Sequence, residues 1–189
     1  MADSLLMHES GTFSAEVART QREVLFDRGL RENGPALLRL AAAYSNSATD
    51  RDDLFQEICF AIWQALSAFR GDSSLRTYLF RIAHNRGIAY LVTSKSKRLD
   101  RSRAFDHEEL RLSDPMPNPE RRLEIEEQRQ NLIAAVRKLP LVYRQAITLA
   151  LEGLSYPEIA EVLGLSEANV GIRLNRARKA LRKSMEFQS

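Results

Sequence analysis

The sequence predicts an all-α protein: two small helical domains joined by a flexible acidic linker, with a helix-turn-helix in the C-terminal domain. Three observations predict it. Apolar residues recur at helical spacing along nearly the whole 189-residue chain, and alternating, strand-like stretches are nearly absent. The segment "DPMPNPE" carries three prolines within five residues, follows a run of acids and interrupts the helical pattern. Charge comes in blocks. Residues 70–103 hold nine Lys/Arg against two Asp/Glu, residues 104–127 hold three against eight, and residues 166–183 hold six against one. The formal net charge of +3 conceals this pattern. Two basic blocks separated by an acidic one suit two contacts with a polyanion and a segment that avoids or imitates it.

The elements follow in order. Residues 1–20 are polar and mixed, and are expected to be a mobile or weakly helical extension. A helix is expected from Arg19 to Leu30, broken by "NGP" at 33–35. Pro35 then suits the first turn of a new helix, "PALLRLAAAYS". Asp50 to Phe69 reads as a long amphipathic helix with the stripe Leu54, Ile58, Ala61, Ile62, Ala65 and Leu66. "RGDSS" at 70–74 is a loop, and Ser73 or Ser74 caps a helix from Leu75 to about Lys95. Leu75, Leu79, Ile82 and Ala83 form its buried side, and His84 reads as a helix-surface residue. Residues 101–118 are the linker. Asn118 and Pro119 start the next helix, with Leu123, Leu132, Ile133 and Val136 as core positions. Pro140 ends it, and Gly153 sits where a C-terminal cap belongs after "LVYRQAITLALEGL". The expected division is therefore an extension at 1–20, a first domain at 21–100, the linker at 101–118 and a second domain at 119–189.

Several classes of function are excluded. The single cysteine, Cys59, lies in an apolar run and is expected in the core, so a disulfide framework and a thiolate metal site are ruled out. There is no glycine-rich phosphate loop, no Cys/His cluster and no nucleophile–base pair, so no enzyme, cofactor or metal is expected. No apolar run approaches the roughly 18–20 residues of a membrane span. The start of the chain lacks the basic and apolar regions of a signal peptide, so a cytoplasmic protein is expected.

The most specific local pattern is "SYPEIAEVLGLSEANVGIRL". Ser155 and Glu158 form a capping box. Ala160 is small where two helices cross, Gly164 sits at a turn that needs a positive φ, and Val170 is apolar where the second helix packs back. Ser166 caps that second helix. Three spaced positions and two caps agree on a helix-turn-helix, a unit that places its second helix in the major groove. That helix carries Asn169, Ile172, Arg173, Asn175, Arg176, Arg178 and Lys179. Asn and Arg can each make paired hydrogen bonds to a base edge, so Asn175 and Arg176 are the first choices for base contacts. The other basic side chains suit phosphates.

A stand-alone regulator would need nothing more, but the first domain contains further motifs. "DDLFQEICFAIW" and "FRGDSSLRTYLFRIAHN", followed by the acidic linker and the helix-turn-helix, resemble an extracytoplasmic-function (ECF) sigma factor of bacterial RNA polymerase over roughly residues 25–185. The resemblance implies an initiation subunit. Asp53, Leu54, Gln56, Glu57, Phe60 and Trp63 would dock on the clamp coiled coil of the polymerase's largest subunit, with a second contact at its flap. Phe69, Arg76, Tyr78, Arg81, Asn85 and Arg86 would open the −10 element and hold an unstacked base, chemistry that suits aromatic and cationic side chains. Tyr78 stands where the family most often has Trp. The linker acids Asp106, Glu108, Glu109 and Asp114 would thread the polymerase cleft. The helix-turn-helix would read the −35 element of promoter DNA, with Gly171 and Ile172 where many members place polar or basic residues. An anti-sigma factor is the further partner implied.

Overall fold

The computed structural model describes residues 3–100 and 119–186, except the side chains nearest the chain ends and the linker. The linker, with its four acids, lies outside the described residues. So does the Leu123 side chain. The described residues form seven α-helices and one short 3₁₀ turn.

Helix α1 runs from Asp3 to Tyr44 without a break. The expected interruption at 33–35 does not occur, although Pro35 removes one backbone hydrogen bond. Tertiary packing outweighs that loss. Ala36, Leu37, Leu40 and Ala41 are buried on the far side of the proline. Just before it, buried Asn33 donates from Nδ2 to the Gly29 carbonyl at 3.1 Å and accepts from Arg76 Nη1 at 2.9 Å.

Helix α2 spans Ala48–Ala65, and a 3₁₀ turn at Leu66–Ala68 follows it. Its cap is Ser47, whose hydroxyl accepts from the Asp50 N–H at 3.0 Å, so the helix starts slightly before its expected position. Leu54, Ile58, Ala61, Ile62 and Leu66 are buried, as the stripe predicts. Cys59 is half-buried rather than enclosed. Helix α3 spans Leu75–Asp100, and Ser74 is the capping serine, accepting from the Thr77 N–H at 3.0 Å. Helices α1, α2 and α3 pack on one another around Leu37, Leu40, Leu79 and Phe80.

His84 is a correction. It is 4% exposed, and its Nδ1 lies 3.1 Å from the Tyr44 hydroxyl. Its burying partner comes from α1, forty positions away, where helical spacing within α3 cannot register it.

The second unit comprises α4 (Pro119–Lys138), α5 (Leu141–Leu151), α6 (Tyr156–Leu163) and α7 (Glu167–Glu186). Gly153 and Gly164 both adopt positive φ at helix ends, +81° and +64°. The capping box is complete: the Ser155 N–H donates to Glu158 Oε2 at 2.8 Å, and Ser155 Oγ accepts from the Glu158 N–H. Those hydrogen bonds from Ser155 hold the Glu158 carboxyl below the usual carboxylate range.

The two units share one apolar core and a set of polar contacts. Arg39 on α1 grips the Glu152 carboxylate through two nitrogens, Nη2 at 2.7 Å and Nε at 3.1 Å. Arg76 donates to the Glu152 carbonyl. Thr77 donates to Glu158 at 3.4 Å, and Arg81 lies 3.7 Å from the Glu161 carboxylate. Arg137 on α4 donates to the Ala42 carbonyl at 2.9 Å. Helix α6 thereby lies against α3.

Candidate nucleic-acid interface

Helix α7 divides cleanly into two sides. Val170, Leu174, Ala177 and Leu181 recur at spacings of four and three and are buried against α5 and α6. The side turned away carries Asn169, Ile172, Asn175, Arg176, Arg178 and Lys179, all exposed, with Arg173 half-exposed at its edge. Ser166 accepts from the Asn169 N–H at 3.3 Å and starts the helix beside this surface. Two tyrosines flank it: Arg176 Nη1 lies 3.5 Å from the Tyr143 hydroxyl, and Arg178 Nη1 3.4 Å from the Tyr156 hydroxyl. Gly171 is not required for room: a Cβ there would meet the Tyr156 ring at 3.7 Å, an ordinary van der Waals contact. Ile172 is 52% exposed and contributes an apolar spot to an otherwise polar surface.

The expected strand-holding residues of the first unit separate into three settings. Asn85 and Arg86 are exposed and line a cavity of about 450 Å³ between α2 and α3, with Ala61, Gln64, Ala65, Ile82 and Ala89. Phe69 lies elsewhere, in a second cavity of about 390 Å³ lined also by Arg19, Arg22, Leu25 and Leu66. Its ring packs on Tyr78, centroids 4.9 Å apart, and the Tyr78 hydroxyl donates to the Ala65 carbonyl at 2.8 Å. Tyr78 therefore ties the end of α2 to α3. Arg76 and Arg81 are engaged by the second unit, as described above, and Arg81 also stacks on Tyr78 at 5.3 Å. Gln64 was not singled out from the sequence. Its place on α2, one turn from Phe60, carried no sign that it would face Asn85 across the cavity.

Helix α2 presents Asp53, Gln56, Glu57 and Phe60 on its outer side; all are exposed, and Phe60 is 61% exposed. An uncovered aromatic ringed by acids has the anatomy of a protein contact. Leu54 is fully buried and belongs to the core beneath that surface. Trp63 is half-buried, with Arg22 stacked over its ring at 4.1 Å and Phe26 edge-on at 5.3 Å.

Two helical units, one with an exposed basic helix and one with a cavity edged by Asn85 and Arg86, fit a DNA-binding transcription protein. Family comparison sharpens that class. Residues 30–97 match the family model for sigma-70 region 2, and residues 129–181 match that for sigma-70 region 4. The chain is 38% identical over 137 residues to the ECF RNA polymerase sigma-E factor of Escherichia coli (strain K12), covering 70% of this chain and 72% of the relative. It is 32% identical over 157 residues to the RNA polymerase sigma factor NccH of Alcaligenes xylosoxydans xylosoxydans, covering 82% and 84%. Among solved structures it resembles CnrH, determined in complex with the cytosolic domain of CnrY, at a TM-score of 0.65 and 28% identity, covering 93% of this chain and 96% of that one. The fold also matches the sigma factor RpoE of Bartonella quintana, solved with the anti-sigma factor NepR, at a TM-score of 0.68 and 23% identity, covering 85% and 96%. The chain belongs to the ECF sigma factors and is a promoter-recognition subunit of RNA polymerase.

Proposed function

We propose that this sigma factor divides its work among three surfaces. The exposed side of α7 reads the −35 element, with Asn175 and Arg176 on base edges and Arg173, Arg178 and Lys179 on phosphates. The cavity between α2 and α3 takes an unstacked −10 base, with Asn85 and Gln64 supplying hydrogen bonds and Arg86 the cation beside the strand. Tyr78, bonded to the Ala65 carbonyl, fixes the end of α2 beside that cavity, and Phe69 packs on the Tyr78 ring from the other cavity. The outer side of α2, with Phe60 at its centre, docks on the clamp coiled coil of core polymerase, and the second unit meets the flap. Residues 21–100 and 119–189 are the two working domains, with 101–118 as the tether and 1–20 as an extension. An anti-sigma factor is the further partner, by analogy with the Bartonella quintana RpoE, which was solved with one.

The observation that carries this reading is the two-sidedness of α7, apolar inward and basic outward. Run-off transcription with core polymerase on a promoter library tests it, because a stand-alone regulator would form no stoichiometric complex and start no transcripts. Within that assay, Arg176→Ala should cost about 1–3 kcal/mol at one position of the −35 element and relax preference there. An unchanged preference would remove Arg176 from the reading surface.

A further inference from the structure

Among the described residues, five buried side-chain atoms find no hydrogen-bond partner. Arg22 Nε lies apart, beside Trp63. The other four are Arg51 Nη1, Arg137 Nη2, Arg144 Nε and Thr148 Oγ1. They come from α2, α4 and α5, yet they gather at one seam. Arg137 donates through Nε to the Ala42 carbonyl near the end of α1. Arg144 donates through Nη2 to the Arg137 and Leu139 carbonyls. Thr148 lies one turn beyond Arg144 on the same side of α5 and is 4% exposed. Arg51 is 8% exposed and close enough to Arg137 for its charge to be felt there.

The seam is short of negative charge. Arg51 pairs with its neighbour Asp52 at 2.6 Å. Arg137 and Arg144 have no carboxylate partner among the described residues. Asp50 is near, but its side chain bonds the Tyr90 hydroxyl. Burial first, and then the charge of Arg144, holds the Arg137 guanidinium below the usual arginine range; Asp50 offsets part of this and Arg51 adds to it. Burial acts likewise on Arg144, with Tyr44 opposing it. A water would satisfy one of these atoms but leave the like charges facing one another. An anion does both, and guanidinia bond phosphate oxygens in pairs. Arg137 and Arg144 are only half-buried, so an anion can reach them from solvent. We propose that Arg51, Arg137, Arg144 and Thr148 form a binding site for a small phosphate anion, either orthophosphate or the terminal phosphate of a nucleotide. The enclosure of the four atoms selects a compact group over a nucleic-acid strand. The site shares no residue with those named for DNA or for the clamp, and it does not depend on those assignments.

The test uses the full chain at constant ionic strength, with chloride as the balancing anion. Calorimetric titration with orthophosphate, and with ATP in the absence of metal, should show one site and a raised thermal midpoint. Tighter binding of ATP identifies a nucleotide as the ligand, and tighter binding of orthophosphate identifies the free anion. Arg144→Gln should weaken binding by at least about tenfold, and Arg144→Lys, which keeps the charge but not the paired geometry, by less. Thr148→Val guards against misfolding, because it removes an unbonded hydroxyl at nearly constant shape. It should leave the phosphate-free melting point unlowered and weaken binding about fivefold. Arg182→Gln, an exposed arginine of α7, should bind as the parent does. Three results overturn the proposal: no binding of either probe, binding that survives in both Arg144→Gln and Thr148→Val, or an equal loss in Arg182→Gln, which would mark general attraction to a basic surface.

Discussion

Between pH 7 and pH 5 the folded chain is expected to lose about 2 kcal/mol of stability through His84 alone. Burial pushes the His84 pKa down to about 4, from an ordinary value of 6.5. The imidazole is therefore neutral in the fold across the range where the unfolded chain takes up a proton. Its contribution is fully present above pH 6.5, declines as pH falls through the unfolded value, and levels off below about pH 4 at a total loss of about 3 kcal/mol. The Tyr44 hydroxyl is its hydrogen-bonding neighbour in the core and is itself held un-ionised by burial. Among the described residues burial alone accounts for the shift, with no carboxylate favouring the imidazolium. Carboxylates elsewhere also titrate toward pH 4, so the measurement is a difference. Urea unfolding of the parent and of His84→Gln, which keeps a polar partner for Tyr44, should give stability curves that converge on acidification. Parallel curves would show that His84 stays as easily protonated in the fold as in the unfolded chain.

The second large effect lies one turn along α3, on the same tyrosine. A Cβ at Gly87 would stand 2.7 Å from Tyr44 Cδ2 and 2.9 Å from Cγ. Cγ is the root of the ring, and Tyr44 is 1% exposed, so the ring has nowhere to swing. Gly87→Ala should destabilise the chain by about 1–3 kcal/mol through overpacking. The same substitution at Gly34, also in a helix, meets no atom beyond its chain neighbours within 4 Å, but its Cβ would crowd the Pro35 ring, which offsets the helical preference of Ala and leaves the change near neutral. Thermal melts of the two variants side by side check the sign as well as the size. A neutral Gly87→Ala would mean that α1 and α3 can separate slightly at Tyr44 without loss.

These two positions also mark where sequence reading ends. Most helix starts and stops were legible, because caps are local chemistry: Ser155 with Glu158, Ser74, Ser166 and the glycine at 164 all act within four residues. The buried side of α7 was legible for the same reason, since its spacing is internal to one helix. What was not legible depends on partners far along the chain. Pro35 reads as a break until Asn33 is seen bonded to both Gly29 and Arg76. His84 reads as surface until Tyr44 arrives from α1. The sequence singled out Arg76 and Arg81 for DNA, and nothing in their own helix announces that Glu152 and Glu161 reach them first. Arg39 and Glu152, 113 positions apart, carried no sign of pairing.

The capping box has one more consequence. Glu158 spends one carboxylate oxygen, Oε2, on the start of its own helix, and offers the other, Oε1, to Thr77 across the interface. Helix α6 therefore owes its first turn to nothing outside its own unit. Had Thr77 been the cap, parting from α3 would have frayed the helix on which α7 rests. As built, a change at Thr77 would leave the start of α6, and the seat that α6 gives α7, intact.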